Sequence, residues 1–511
     1  MATDGIIGTS PAVRVAAGSD SYTEGQELLS AEQESGTAIR TVMVGSTGFE
    51  DLEPLVLATL DGETAFFPRC STEQVQAVVA ELDDGTLPTD RAVAVAEHES
   101  GTATLPIPDD GPLGVGDRNV LSGCGWAVPT SIADYRADGT TGINDENLTT
   151  RLRDVGLRGR GRGDAAADEP VVDHWKAAAA ADGDPVVVVN AHDADPHAAM
   201  DRLLLESDPF AVCEPALVAA AALDATDVVV YVNETETIAR RRIQEAANAL
   251  VDEFDMGVSI RAVTGPDEYK AGEPTMALEA IEGNHRLEAR RQPPGPSEHG
   301  LDGRPTLVHT PRTFAQVGAV LDGEDVGASS DPGTRLFTVA GDVEAAATVE
   351  LSTDATLDAV LPAVETETER KAACVGGVFG GLTRSLDVPA SAPGLRSARL
   401  GTNGVVEMMD DSTCTVAFVG ERAKFAREEN CGRCVPCREG SKQLVDLLRD
   451  VYDGEYKDGM LRELARTMRE TSICGFGREA ARPVTTAMET FETEFNAHAR
   501  GNCPTGACNH S

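Results

Sequence analysis

The sequence predicts a multidomain α/β protein that ends in a helical bundle, and three patterns carry that prediction. Val186-Val-Val-Val-Asn190 and Val228-Val-Val-Tyr-Val232 are unbroken β-branched runs, as expected of strands buried on both faces, with an alanine-rich helix around Ala216 to Ala222 between them. Residues 336–343 alternate apolar and polar like a strand and turn, which marks a second sheet. After residue 426 the apolar residues recur at helical spacing. With 511 residues and 41% apolar content the chain can bury several cores.

Taken in order, residues 1–38 are rich in Ser, Gly, Thr and Glu without apolar periodicity, and read as a flexible acidic arm. Thr41-Val-Met-Val and Leu55-Val-Leu-Ala-Thr read as strands, and Ser71 caps a helix running to Leu82. These form a small α/β unit over 39–92, followed by a Gly/Pro/Asp-rich linker over 93–117. The buried strands belong to a unit over 118–330. Residues 331–395 form the second sheet, with Thr356-Leu-Asp-Ala-Val-Leu361 as its helix, and 396–425 connect it onward. In the closing region, 426–500, three apolar stripes predict three antiparallel helices: Leu444, Leu447, Leu448 and Val451; Met460, Leu461, Leu464 and Met468; Val484, Met488, Phe491 and Phe495. Residues 501–511 are a polar tail with two cysteines.

Charge narrows the function. Asp and Glu number 85 against 43 Lys and Arg, a formal charge of -42, and only six of the basic residues are Lys. Simple binding to nucleic acid or to an anionic membrane needs the opposite field. So acidic and lysine-poor a surface reads as adaptation to high salt, where repulsion is screened. No apolar run approaches the roughly 18 residues needed to cross a bilayer, and Met1-Ala-Thr-Asp lacks a signal-peptide pattern. A cytoplasmic protein is expected.

The sharpest motif is Cys431-Gly-Arg-Cys434-Val-Pro-Cys437, with Cys474 in Ser472-Ile-Cys-Gly-Phe-Gly477. Three thiolates at this spacing can face three corners of a cubane, and a fourth from a later helix junction closes it. Zinc and free thiols are the alternatives, but zinc sites usually pair two C-x2-C knuckles. Cys503 and Cys508 read as an unligated pair, or as part of a partner's site. Cys70, Cys124, Cys213, Cys374 and Cys414 read as small packing residues.

Two further segments are candidates for ligand contact. Gly156-Leu-Arg158-Gly159-Arg160-Gly161-Arg-Gly163 can bring backbone N–H groups and arginines to phosphate, or can be a flexible basic loop. Asn190-Ala-His192-Asp193-Ala-Asp195-Pro-His197 follows a buried strand, where open α/β sheets bind ligands. Its histidines and acids suit a metal or a solvated turn.

In this order the motifs resemble the flavin-bearing, NADH-oxidising subunit of respiratory complex I and its relatives in NAD-linked hydrogenases and formate dehydrogenases. The resemblance spans about 118 to 510 and is carried most specifically by Met409-Asp-Asp-Ser-Thr-Cys414, Glu429-Asn-Cys-Gly-Arg-Cys-Val-Pro-Cys-Arg-Glu-Gly440, Thr471-Ser-Ile-Cys-Gly-Phe-Gly477 and Cys503-Pro-Thr-Gly-Ala-Cys508. It implies a degenerate thioredoxin-like domain without cluster cysteines over 39–92 and a Rossmann-like FMN/NADH domain with a helical lead-in over 118–330. A β-grasp, soluble-ligand-binding domain over 331–395 and a helical iron-sulfur bundle over 426–500 complete it. The implied chemistry is hydride transfer from NADH to FMN, then single electrons to a [4Fe-4S] cluster on Cys431, Cys434, Cys437 and Cys474. By position, Gly159, Arg160, Gly161, Asn190, Asp195, Tyr269, Gly272 and Glu273 line the flavin pocket, with Arg158 or Arg160 neutralising phosphate.

The nucleotide segment departs from the family. Gly161-Arg-Gly-Asp-Ala-Ala-Ala-Asp168 replaces Gly-Gly-Ala-Gly-Phe-Pro-Thr-Gly, His192 replaces an acid, Pro274 replaces a second glutamate, and His309-Thr310 replaces an Asn-Asn pair. The alternative reading is therefore an electron-relay or scaffold subunit that keeps the cluster without FMN or NADH. Either way the partners are other electron-transfer subunits, and electrons leave through another chain.

Overall fold

Residues 5–97 build the first sheet from β1 (Ala12–Ala16), β2 (Arg40–Val44), β3 (Leu55–Leu60), β4 (Glu63–Pro68) and β5 (Ala94–Glu97), with helices α1 (Tyr22–Gln33) and α2 (Thr72–Asp83). The computed structural model describes every residue except 1–4, 34–37, 138–146, 255–256, 324–326, 328, 367 and 509–511. The strand order is β2-β1-β3-β4-β5, with β1 and β2 parallel and the other pairs antiparallel. The expected flexible arm is thus corrected, since β1 is an interior strand of this sheet, paired with β2 and β3. Val13 and Val15 pack with Leu28, Val75 and Val79 on the helical side, and Ala12 and Ala16 face the opposite core. Arg14 hid this strand from a hydropathy reading. Its guanidinium stacks 3.5 Å from the Trp126 ring centroid, and Nε donates to the Trp126 carbonyl. The linker is corrected too, because β5 occupies its first residues.

The second unit holds α3 (Ile132–Tyr135), α4 (Leu148–Val155), α5 (Val171–Ala180), β6 (Val186–Asn190), α6 (Met200–Ser207), α7 (Phe210–Ala222), β7 (Asp227–Asn233), α8 (Thr237–Glu253), β8 (Ser259–Gly265), α9 (Pro274–Ile281), β9 (Thr306–His309) and α10 (Pro311–Asp322). Its four strands are all parallel in the order β8-β7-β6-β9. Val187, Val189, Val228 and Val230 enter the core built with α5, α7, α8 and α10, while Val186, Val188 and Val229 meet Leu278 of α9 on the other face. Burial on both faces is why these runs carry no alternation. Asn190, Asn233 and His309 end their strands along one edge, where the loops gather.

The third unit contains β10 (Thr334–Gly341), β11 (Ala347–Ser352), β12 (Arg370–Val375), β13 (Gly381–Thr383), α11 (Ala392–Ser397) and β14 (Val405–Asp410) in the order β11-β10-β14-β12-β13. The boundary at 395 is corrected, because β14 is the central strand, parallel to β10 and antiparallel to β12. The expected helix near 356–361 is a 3-10 helix, Leu357–Ala363, interrupted by Pro362, which has no N–H to donate. Phe337, Val339 and Val349 share one core with Leu55, Leu57 and Phe66, so the first and third sheets pack together.

The last unit is helical: α12 (Thr415–Glu429), α13 (Val435–Tyr452), α14 (Asp458–Thr471), α15 (Gly475–Glu479), α16 (Arg482–Thr490) and α17 (Glu492–His498). α12 falls largely in the expected connector, and the third apolar stripe is split between α16 and α17 at Phe491. The stripe residues are buried except Leu464, which is half-buried, and Met460, which is 58% exposed. Among the described residues, no helix is long and apolar enough to cross a membrane.

Candidate redox site where three units meet

Cys431 and Cys434 sit in the turn between α12 and α13. Asn430 ends α12 by donating to the Ala426 and Arg427 carbonyls, while its Oδ1 accepts from the Gly432 N–H. Gly432 turns the chain at φ +76. Cys434 is the N-cap of α13, Pro436 follows in the first turn where its missing N–H costs nothing, and Cys437 lies beside it, buried. Cys474 is the N-cap of α15. The four cysteines border one small pocket, lined otherwise mainly by Met276, Ala289, Ile473 and Phe476. Arg438 Nη1 donates to the Gly432 carbonyl at 2.7 Å and Arg478 Nε to the Ser472 carbonyl at 3.2 Å, so each cysteine loop is tied down by an arginine. Burial, and next the charge of Glu273, raises the Cys474 thiol to about 12. Burial and then the neighbouring thiols raise Cys437 as well. A cationic centre relieves that crowding of anionic sulfur.

Beside this space runs a cleft of about 340 Å³. Gly161, Arg162, Tyr269, Glu273 and Asn403 border it on one side, and Gly475 and Phe476, directly after Cys474, on another. Phe476 therefore borders both the cleft and the cysteine pocket. Arg162 lies 3.7 Å over the Tyr269 ring, Nη1 donates to the Tyr269 carbonyl, and Nε donates to Asp193. Tyr269 meets Phe425 and Phe476 edge to face. Cations Lys270, Arg396, Arg478 and Arg482 complete the rim.

Residues 152–319 match the model for the Nuo51 FMN-binding domain, and residues 417–498 match that for the NADH-ubiquinone oxidoreductase-F iron-sulfur binding region. The F subunit of the NADH-quinone oxidoreductase of Streptomyces coelicolor is 30% identical, over 70% of this chain and 84% of that protein. The chain belongs to the family of NADH-quinone oxidoreductase F subunits. The NADP-reducing hydrogenase subunit HndC of Solidesulfovibrio fructosivorans is 29% identical over 76% of this chain and 85% of its own length. In fold, the chain is similar to the crystal structure of NAD+-reducing [NiFe]-hydrogenase in the air-oxidized state, with a TM-score of 0.66, 23% identity and coverage of 96% of this chain and 86% of that one. As a member of this family it is an NADH-oxidising flavoprotein with FMN and [4Fe-4S] as cofactors, passing electrons to the iron-sulfur cluster and working among other subunits.

Of the residues expected at the flavin, Gly161, Tyr269 and Glu273 border the cleft. Gly272 packs behind it, where a Cβ would collide with the His192 carbonyl. Asn190 joins the two loops, its amide donating to the Gly163 carbonyl at 2.8 Å and the Gly272 carbonyl at 3.0 Å. Gly159 bridges to Ala167. Asp195 turns toward the third unit and accepts the Val378 N–H at 2.7 Å; burial, and then the charge of Asp193, raises its carboxyl. Glu273 caps α9 by accepting the Thr275 and Met276 N–H groups, and burial raises its carboxyl too.

The phosphate role expected of Arg158 and Arg160 is corrected. Arg160 is buried against Asp331 and the Pro332 and Thr334 carbonyls, and Arg158 donates to the Asp168 and Ser330 carbonyls. Arg162, left unassigned by the motif, is the arginine of this turn that borders the cleft. The histidine and acids after β6 do not group as metal ligands among the described residues: His192 Nε2 donates to the Pro266 carbonyl and its ring stacks on Tyr231.

Asp164 borders the cleft under the glycine turn. It pairs with His309 Nδ1 at 2.9 Å and accepts from Thr313 Oγ1 at 2.6 Å. Burial works to raise this carboxyl, but His309 and the hydrogen bonds hold it below the usual range. Trp175 Nε1 donates to His309 Nε2, which leaves Nδ1 as the ring nitrogen that donates to Asp164. The outer cleft remains suited to a phosphorylated flavin. The buried Asn403 Nδ2 there has no hydrogen-bond partner, and arginines stand beside aromatic walls.

Proposed function

We propose that the cleft bordered by Gly161, Tyr269 and Glu273 is the FMN and NADH site, and that Cys431, Cys434, Cys437 and Cys474 hold the [4Fe-4S] cluster. The observation that carries this reading is Phe476, one residue bordering both spaces, so that donor and cluster stand on either side of a single side chain. FMN, when bound, takes a hydride from NADH and releases electrons singly. The chain's own groups supply position and charge. Asn190 and Gly272 fix the loops, Arg162 is held over Tyr269, Asn403 offers a free donor, and Arg396, Arg478 and Arg482 draw the anionic dinucleotide into an otherwise acidic protein. Glu273 borders the cleft, and its carboxylate acts electrostatically on Cys474.

The finer domain reading fits this proposal. The order β2-β1-β3-β4 with two helices supports a degenerate thioredoxin-like unit. The parallel sheet supports a Rossmann-like flavin domain, the β10-β14 parallel pair a β-grasp unit, and α12 to α17 the cluster domain. The formal charge of -42 supports a cytoplasm of high salt. Absorption decides the flavin. Protein purified anaerobically in concentrated KCl is expected to carry a band at about 450 nm that NADH bleaches. Full iron content without flavin would overturn the catalytic reading in favour of a relay.

A further inference from the structure

Apart from the cluster cysteines, the structure gathers four other ligands. Cys414, His498, Cys503 and Cys508 have donor atoms that all lie within 4.8 Å of one another. Cys414 Sγ is 3.4 Å from Cys508 Sγ and 3.3 Å from His498 Nε2, and Cys508 Sγ is 3.6 Å from the same nitrogen. A tetrahedral zinc ion with Zn–S near 2.3 Å sets its ligand atoms roughly 3.5 to 3.8 Å apart. The spacing therefore suits one ion and is too tight for a cubane. Among the described residues, Cys431, Cys434, Cys437 and Cys474 form no such tight group.

The imidazole is already oriented as a ligand. His498 Nδ1 donates to the Glu494 carbonyl at 2.8 Å, which fixes the tautomer and leaves the Nε2 lone pair facing the sulfurs. His498 is fully buried, and Cys414 and Cys503 are nearly so. The sulfurs also receive donors: the Ala417 N–H reaches Cys414 and the Thr505 hydroxyl lies 3.4 Å from Cys503. At 3.4 Å the Cys414 and Cys508 sulfurs are not bonded to each other.

We propose that Cys414, His498, Cys503 and Cys508 bind a single structural zinc ion, separate from the iron-sulfur cluster. Cys414 precedes α12 and Cys431 follows it, and fifteen helical residues span about 22 Å. Three thiols release their protons as the ion binds, and four protein ligands leave it no open position, so its role is structural. The ion ties the tail to the start of α12 and the end of α17. Tyr452 at the end of α13 covers it, with its ring 5.4 Å from His498 and its hydroxyl 3.7 Å from Cys508. On this proposal Cys414 does more than pack, and Cys503 and Cys508 are ligands in place of an unligated pair.

The test is elemental analysis of the anaerobically purified full chain. The expected result is about one zinc per chain in addition to about four irons. The C503S/C508S double variant is expected to lose the zinc and keep its iron, and C431S to lose iron and keep zinc. Metal-free protein given cobalt(II) alone is expected to develop the intense visible bands of a tetrahedral thiolate site. Because the double variant could fail to fold, H498C, which preserves four ligands, is expected to keep the ion. Iron-replete protein without zinc, zinc retained in the double variant, a mononuclear iron in its place, or a Cys414–Cys508 disulfide would each overturn the proposal. Loss of flavin would not touch it.

Discussion

Gly477 presses its α-carbon against the cysteine loops, and a Cβ there would lie 2.6 Å from Ser472 Oγ and 2.8 Å from Cys437 Cβ. Substitution by alanine must move one of the two segments that carry sulfur. G477A is expected to lower iron per chain by half or more while leaving far-ultraviolet circular dichroism unchanged; full iron content would refute the steric role. The motif from Cys431 to Cys437 was legible at this scale because three of the proposed ligands are close in sequence and chemically distinctive. The role of Asp164 was not. Asp164 and His309 each looked like an isolated loss from a nucleotide site, yet they are two halves of one buried pair, 145 residues apart. Asn403 gave no signal at all, since it reaches the cleft from another unit.

Local elements followed their sequence rules where a single rule dominated. Ser71 accepts from the Gln74 N–H while the Gln74 side chain accepts from the Ser71 N–H at 2.7 Å, completing a capping box for α2. S71A is expected to cost about 1 kcal/mol, read as a lower urea midpoint with an unchanged slope. Where two rules competed the sequence misled. β1 carries Arg14 at its centre, and its burial depends on Trp126, more than a hundred residues away. β14 resembles a connector in sequence because its pairing partners β10 and β12 come from earlier in the chain. Met460 kept helical spacing but starts α14 on its solvent side.

Across the whole molecule, the flavin unit and the third unit are joined by buried ion pairs. Asp331 accepts Arg160 Nη1 at 2.8 Å and Arg335 Nε at 2.7 Å, and Arg335 also pairs with Asp168 at 2.7 Å. Burial works to raise the Asp331 carboxyl, but Arg160 and Arg335 hold it at about 2, against an ordinary value of 3.8. Because the folded value is depressed, the stabilisation is complete above pH 3.8 and disappears as pH falls toward 2. Its size is about 2 kcal/mol. D331N is expected to be less stable than wild type at about pH 6, with the gap narrowing by about 2 kcal/mol between about pH 4 and pH 2 in urea titrations. A constant gap would remove Asp331 as the titrating group.

The sequence by itself determined the cysteine motif, the buried parallel strands, the helical ending and the family, because those depend on residue chemistry and on periodicities of a few residues. Only the tertiary structure decided which arginine of the glycine turn borders the cleft, that Asp164 pairs with His309, that the amino-terminal residues belong to a sheet, and that Cys414 and His498 meet Cys503 and Cys508. Those outcomes depend on contacts between segments tens to hundreds of residues apart, and no local pattern encodes them.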